Sequence, residues 1–170
     1  ISISAYKVAT MIKVSDELLN DNVFNLEAYI SKEFGRRIGT KEEEAFFTGD
    51  GKGKPTGIFN ATGGASDGVT TAGASITFDD VMDLFYSLRS PYRKKAVWML
   101  NDSTVKALRK LKDGNGNYIW QPSVQAGVPD MILNRPYFTS SFVPEIAAGQ
   151  KIMAFGDFSY FSRAFLYHFG

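Results

Sequence analysis

Hydrophobic residues recur every four positions over one long stretch of the chain. Leu26, Ile30, Phe34 and Ile38 follow this spacing, which places them on one face of an α-helix. Charged residues fall within the same arc of that helix, so we expect the face to be only partly buried. These charged residues are Arg37, Lys41 and Glu44.

The two ends of this helix carry recognisable signals. Asn25 is a favourable N-cap residue, and the sequence Gly49-Asp50-Gly51 is a C-terminal stop. We therefore predict a helix from Asn25 to Phe47, about 35 Å long at roughly 1.5 Å per residue. This length is about the diameter of a small domain. We therefore expect the helix to lie along a surface rather than in the interior.

Two more helices are predicted later in the chain. Thr77 and Asp80 have the spacing of a capping box before a helix that ends at Pro91, and Asn101 or Asp102 caps the next helix. Apolar residues three and four apart define the buried faces of both helices. They are Phe78, Val81, Met82, Phe85 and Leu88 in the first, and Val105, Leu108 and Leu111 in the second.

Short apolar or alternating segments predict strands between these helices. The clearest is Ala96–Leu100, a continuous apolar run of strand length. Because strands and helices are mixed along the chain, we predict an α+β (mixed) fold. The other predicted elements are strands over residues 1–13, 69–71, 131–142 (broken at Pro136), 151–155 and 163–169, and a short capped helix over residues 15–20.

Composition excludes several classes of protein. The 170 residues are 44% hydrophobic, enough to form a core in one domain or two small ones. The formal net charge of +1 does not indicate a strongly electrostatic nucleic-acid binder. There is no cysteine, which excludes disulfides and thiolate sites within these residues. No apolar run approaches the ~20 residues of a membrane span.

The glycine-rich segment 49–57 resembles a phosphate-binding loop only superficially. A P-loop has Ser or Thr directly after its lysine and follows a strand, whereas Pro55 follows Lys54 and the segment follows a helix. We predict that it is a flexible connection between domains.

A second possible site is a calcium loop. Asp113, Asn115 and Asn117 match its first ligand positions, but Tyr118 and Val124 stand where glycine and glutamate are required. We predict an ordinary Asn/Gly turn instead.

The only histidine, His168, lies in an aromatic, strand-like run and has no obvious catalytic partners. The acidic groups Glu42–Glu44 and Asp79–Asp80 are typical of helix surface and helix cap. We therefore predict no catalytic, cofactor-binding or metal-binding residues.

Two basic clusters have three open interpretations. Arg36–Arg37 and Arg89–Lys95 could be solvated surface, could form salt bridges to acidic patches on neighbouring copies, or could contact nucleic-acid phosphates. The chain also has 14 Phe, 8 Tyr and 2 Trp. Tyr92, Trp120 and Tyr137 lie in short polar segments, where aromatic residues serve either core packing or protein–protein contact.

Several segments, taken in order, resemble the major capsid proteins of tailed bacteriophages of the Hong Kong 97 type. The resemblance covers nearly the whole chain. Asn134 stands where the family often has glycine, a mild change because Asn tolerates a left-handed backbone. The segments are Leu26–Ile30, Thr40–Glu43, Gly49–Gly51 and Gly57–Ile58, then Trp98–Asn101, Leu111–Ile119, Ile132–Pro136 and Phe155–Phe158.

This resemblance implies a structural subunit that forms pentamers and hexamers of an icosahedral shell around DNA, and no enzyme activity. Residues 1–51 and 151–170 would form a peripheral domain with the long spine helix, and residues 52–150 an axial domain. The implied partners are copies of the chain, a scaffold, a maturation protease and a portal. The implied location is the virion, assembled in the bacterial cytoplasm, with no membrane association and no cofactor. The alternatives are a nanocompartment shell of the same fold and an enzyme of unknown type.

The family also carries an N-terminal arm and an extended hairpin before the position of Ile1, and continues beyond Gly170. The resemblance therefore implies that this sequence is a fragment with an unpaired sheet edge. We expect residues 1–170 alone to be monomeric or weakly associated.

Overall fold

A computed structural model describes residues 6–15, 17, 25–71, 75–120 and 130–159. The described chain contains both helices and a sheet, which confirms the mixed class of the fold. The helices are α1 (Leu26–Thr48), α2 (Phe78–Ser87), α3 (Ser90–Arg93) and α4 (Asp102–Arg109). The strands are β1 (Val97–Leu100), β2 (Met131–Ile132), β3 (Arg135–Thr139) and β4 (Met153–Gly156).

Helix α1 has the predicted ends and the predicted partial exposure. The side chain of Asn25 accepts a hydrogen bond from the amide of Ala28 at 3.2 Å, and Gly49 is the C-cap. Within this helix only Phe47 is buried, and the four residues of its apolar face are half-buried. The hydrophobic core of the subunit therefore covers only one end of the helix.

Ion pairs along the exposed surface of α1 involve its basic residues. Glu33 accepts hydrogen bonds from Arg36 at 2.6 Å and from Arg37 at 2.8 Å, and Lys41 contacts Glu44 at 2.7 Å. The hydrogen bond from Arg36, followed in size of effect by the one from Arg37, lowers the pKa of Glu33 to about 2. These ion pairs within one exposed helix favour the solvated-surface interpretation of the Arg36–Arg37 cluster.

The described strands form a four-stranded sheet in the order β2-β3-β1-β4. Strand β1 is parallel to β3, with Trp98 beside Tyr137, and antiparallel to β4, with Trp98 beside Phe155. Strands β2 and β3 form a hairpin in which Leu133 and Asn134 both have positive φ, at 48° and 59°. The left-handed backbone inferred for Asn134 is therefore present, and it suits the tight turn.

The larger core lies on one face of this sheet, under α2 and α4. Phe85 stacks on Phe155, with ring centroids 5.1 Å apart, and Phe155 stacks on Trp98 at 4.2 Å. The indole Nε1 of Trp98 donates to the backbone oxygen of Ile132 at 2.9 Å, so its polar atom is satisfied in the core. The buried residues of this core are Val81, Trp98, Leu100, Val105, Leu108 and Ile132.

A smaller core lies on the opposite face. Met99 and Ala154 pack here, whereas their neighbours Trp98 and Phe155 pack in the larger core, as the alternation of side chains along a strand requires. The buried residues of this second core are Phe47, Ile58, Phe59 and Val143. The sheet therefore separates the end of α1 from helices α2 and α4.

Helices α2 and α4 begin as the sequence predicts. Thr77 and Asp80 form a complete capping box, and the side chain of Asn101 accepts from the amide of Ser103 at 2.9 Å. Helix α2 ends at Ser87, before the predicted stop, because the chain turns into the separate one-turn helix α3 with Pro91 in its first turn.

Some predicted strands are wrong. Residues 6–13 and 69–71 form no strand among the described residues, because alternation alone does not supply a neighbouring strand. Strand β3 also continues through Pro136. Proline has no amide hydrogen to donate to a neighbouring strand, but pairing with β1 begins only at the next residue, Tyr137. The strand predicted for residues 163–169 and most of the helix predicted for residues 15–20 lie outside the described residues.

The Glu33 cluster predicts an unusual titration. The carboxyl group should remain ionised well below the ordinary glutamate range and protonate near pH 2. Because its pKa is depressed in the folded state, its contribution to stability is present above the ordinary glutamate pKa of about 4.3. It is lost as the pH falls through about 2.

Carboxyl NMR titration of the wild-type chain and of a variant with Arg36→Gln and Arg37→Gln measures this directly. The double variant should return the pKa of Glu33 towards the ordinary range. A wild-type pKa above 4 would contradict the arrangement.

Candidate assembly surfaces

The end of α1 is joined to the sheet by a side-chain hydrogen bond. Ser140 is buried, and its hydroxyl donates to the carboxylate of Glu43 at 2.6 Å. The amide of Ser140 donates to the backbone oxygen of Leu100 at 3.1 Å, at the end of β1. Residues 97 positions apart in sequence therefore connect the helix to the end of the sheet.

The glycine-rich segment folds back onto the same end of α1. The amides of Ile58 and Phe59 each donate at 2.9 Å to the backbone oxygens of Phe46 and Phe47, and Gly57 donates to Gly49 at 2.8 Å. These bonds satisfy carbonyl groups that a helix end leaves without partners. The prediction of a flexible connection is therefore wrong for residues 55–57, which are buried or half-buried and are held at the helix end through Gly57.

Close backbone approach explains two glycines of this segment, Gly49 and Gly57. A Cβ atom on Gly57 would lie 2.4 Å from the backbone oxygen of Phe47, and one on Gly49 would lie 2.0 Å from that of Pro55. No side chain fits at such distances. Glycine at these two positions allows the backbones of the segment and of the helix end to pack closely. Composition alone indicates flexibility instead.

The cluster Arg89–Lys95 presents cations at the surface. Arg93 is held locally, because its Nε donates to the backbone oxygen of Leu88 at 2.6 Å and its guanidinium lies 5.1 Å from the centre of the Tyr86 ring. Arg135 joins the cluster through a 3.0 Å hydrogen bond to the backbone oxygen of Lys94. We define the basic patch as Arg89, Lys94, Lys95 and Arg135.

The basic patch differs from the Arg36–Arg37 cluster in one respect. In the described part of the chain, no ion pair joins any of its four residues to a carboxylate. Arg89, Lys94 and Lys95 are exposed, and Arg135 is half-buried. The patch is therefore available to an acidic partner.

The aromatic residues divide into core and surface groups. Trp120 packs edge-on against Tyr137 with ring centroids 5.7 Å apart, and Arg109 lies 4.9 Å above Trp120 while it pairs with Asp130. Core packing therefore accounts for Trp120 and Tyr137. Other large apolar or aromatic side chains are exposed, as contact surfaces require. They include Tyr29, Phe46, Tyr86, Tyr92, Tyr118 and Phe138.

The remaining candidate sites have structural roles where they are described. The carboxylate of Asp113 accepts from the amides of Asn115 at 2.9 Å and Asn117 at 2.8 Å, which confirms the turn. The hydrogen bond from the Asn117 amide is the main cause of the lowered pKa of Asp113. His168 and Val124 lie outside the described residues.

The described residues lack two further features, a metal-binding cluster and a membrane-spanning helix. No group of three or more His, Cys, Asp or Glu side chains is placed to hold a metal ion. No helix in the described ranges is both long enough and apolar enough to cross a membrane.

Comparison with solved structures defines the class of the fold. The chain matches the capsid of an empty GTA particle and the capsid of a native GTA particle, both computed with C5 symmetry. Each match has a TM-score of 0.76 and 34% identity, and covers 90% of this chain and 56% of the other. The mixed helix-and-sheet fold is therefore that of phage-like capsid proteins.

Sequence comparison gives the family. The model of the phage capsid family matches residues 1–164, so the chain belongs to the phage capsid family. A stretch of 71 residues is 37% identical to the major capsid protein of Escherichia phage T5. This stretch is 42% of this chain and 16% of the T5 protein. The chain thus spans about half the length of the GTA capsid chains, and the matched stretch is a smaller part of the T5 protein.

The close backbone contact at Gly57 predicts a large effect of one methyl group. Gly57→Ala should lower the free energy of unfolding by about 1–3 kcal/mol, because the added Cβ forces the segment away from the end of α1. Chemical denaturation followed by circular dichroism measures the change.

Gly35→Ala is the matched control. Gly35 lies in the middle of α1 with nothing within 4 Å of an added Cβ, so this substitution should raise stability by up to about 1 kcal/mol. Equal effects of the two substitutions would contradict the role given to Gly57.

Proposed function

We propose that the chain is the structural subunit of an icosahedral phage capsid, which self-assembles into pentamers and hexamers that enclose DNA. The match of the capsid family model to residues 1–164 is the observation that carries this proposal. The capsids of the matched structures were computed with five-fold symmetry, and the same kind of ring is proposed for this chain.

The proposed fold is of the Hong Kong 97 type. Its supporting features are a long surface helix fixed to a sheet at one end, and the glycine segment bonded to that end. In this arrangement residues 1–51 and 151–170 form the peripheral domain and residues 52–150 the axial domain. Hydrogen bonds between β4 and β1 join the two parts through one sheet.

Surface chemistry supports assembly. Of the 23 residues of α1 only one is buried, and Tyr29 on this helix is 66% exposed. Such a helix leaves apolar area for neighbouring copies to cover. Many weak, repeated contacts of this kind sum to a stable closed shell.

The proposal extends to partners and location. The chain would bind copies of itself, a scaffold, a maturation protease and a portal, would enclose DNA without reading its sequence, and would have no enzymatic role. It would be a virion component that assembles in the bacterial cytoplasm. A nanocompartment shell is less well supported, because the relatives found are capsid proteins of a phage and of GTA particles.

Light scattering of the full-length gene product that carries this sequence tests the proposal. We expect megadalton particles, with or without a co-expressed scaffold, and closed shells by electron microscopy. The 18.8 kDa chain of residues 1–170 provides the size reference. A folded full-length product that stays at subunit size with every co-expressed partner would contradict the proposal.

A further inference from the structure

The basic patch lies at one end of the sheet. Lys94 and Lys95 lie three and two residues before the start of β1 at Val97, and Arg135 begins β3. Because β1 and β3 are parallel, these residues gather where both strands start. Asn101 and Ser140 directly follow the two strands. Ser140 is five residues beyond Arg135, which is about 16 Å at roughly 3.3 Å per residue.

Carboxylates gather at that opposite end. Glu43 is bonded to Ser140, and Asp102 follows the end of β1. The side chain of Asn101 donates to the backbone oxygen of Val143 at 2.9 Å, which brings the following residues to the same end. We define the acidic patch as Glu42, Glu43, Asp102 and Glu145, all of them exposed.

The acidic patch, like the basic patch, lacks ion pairs within the described residues. Nearby lysines are mostly neutralised, since Lys41 pairs with Glu44, Lys54 with Asp50 and Lys151 with Asp67. The four carboxylates of the patch therefore have no cationic partner within the described residues, although Glu43 also accepts the hydrogen bond from Ser140.

We propose that the basic patch of one copy binds the acidic patch of the next copy. This inference rests on the proposed function and assigns residues to its contact between copies. The two patches lie at opposite ends of one sheet, so they cannot neutralise each other within one chain. A contact that joins two different surfaces of identical subunits repeats head to tail, and it closes into a ring when the rotation allows.

Residues around the basic patch suit a protein partner. Tyr86 is 66% exposed beside Arg93, and Tyr92 is exposed next to it in α3. Tyrosine and arginine are enriched in protein–protein contacts, and charge complementarity sets the orientation of such contacts. A phosphate backbone would explain the cations but not the matching carboxylates at the other end.

Charge reversal in the full-length gene product tests the pairing. Lys94→Glu with Lys95→Glu cancels the net charge of the basic patch, and Glu42→Lys with Glu145→Lys cancels that of the acidic patch. Each double variant should yield at least tenfold fewer particles by sedimentation, since the attraction between the patches is lost and the substituted residues meet like charges. The chain with all four substitutions should regain particles, because the substituted residues then carry opposite charges across the contact again.

Lys106→Glu with Lys110→Glu is the control. Both lysines are exposed and lie outside the two patches, so these substitutions should leave the particle yield within twofold of wild type. Thermal melting of each variant verifies that it is folded.

Cysteine cross-linking gives a second measurement that does not depend on charge reversal. Residues 1–170 contain no cysteine, and any cysteine elsewhere in the product is first replaced by serine. A mixture of Lys95→Cys and Glu145→Cys chains, assembled and treated with a short bismaleimide, should give several-fold more linked dimers than Lys95→Cys mixed with Lys110→Cys.

The outcomes separate the two proposals. Wild-type particles together with unaffected particle yields for both reversed variants would overturn the charge pairing only. Loss of DNA retention by the Lys94→Glu, Lys95→Glu variant without loss of particles would also overturn it, and would assign the basic patch to phosphate. A folded wild-type product that forms no particles would overturn the proposed function itself.

Discussion

The attachment of one end of α1 to the sheet is the constraint on which the rest of the structure depends. Backbone hydrogen bonds from Gly57, Ile58 and Phe59 and the Ser140–Glu43 contact all converge on the last two turns of the helix. They place Phe47 in the smaller core, on the face of the sheet opposite α2 and α4. The remainder of the helix is then left at the surface, where it is available to neighbouring copies.

This arrangement also gives the subunit a direction. The parallel pair β1 and β3 begins beside cations and ends beside carboxylates that form no ion pair within the described residues, so the two charges are held apart by the length of the strands. A subunit with different ends can repeat head to tail around an axis. Ring formation, which the family membership leads us to propose, thus has a physical basis in the topology of one small sheet.

Local signals in the sequence predict much of this fold. The structure confirms the features that depend on neighbours a few residues away. They are the caps at Asn25, Thr77 and Asn101, the partly exposed face of α1 and the strand predicted at Ala96–Leu100. The failures depend on distant contacts. Alternation over residues 6–13 cannot reveal whether a strand partner exists, and the glycines of segment 49–57 indicate flexibility until the close approach to the end of α1 is seen. The basic patch likewise becomes visible only when the strand order brings Lys94 beside Arg135.

We propose that α1 is fixed at its C-terminal end and is covered elsewhere by neighbouring copies. Hydrogen–deuterium exchange of the full-length gene product, compared between subunits and assembled particles, tests it most directly. Amides of residues 57–59 should be protected in both states, whereas residues 26–40 should become markedly more protected on assembly. Equal exchange of residues 26–40 in subunits and particles would contradict the account.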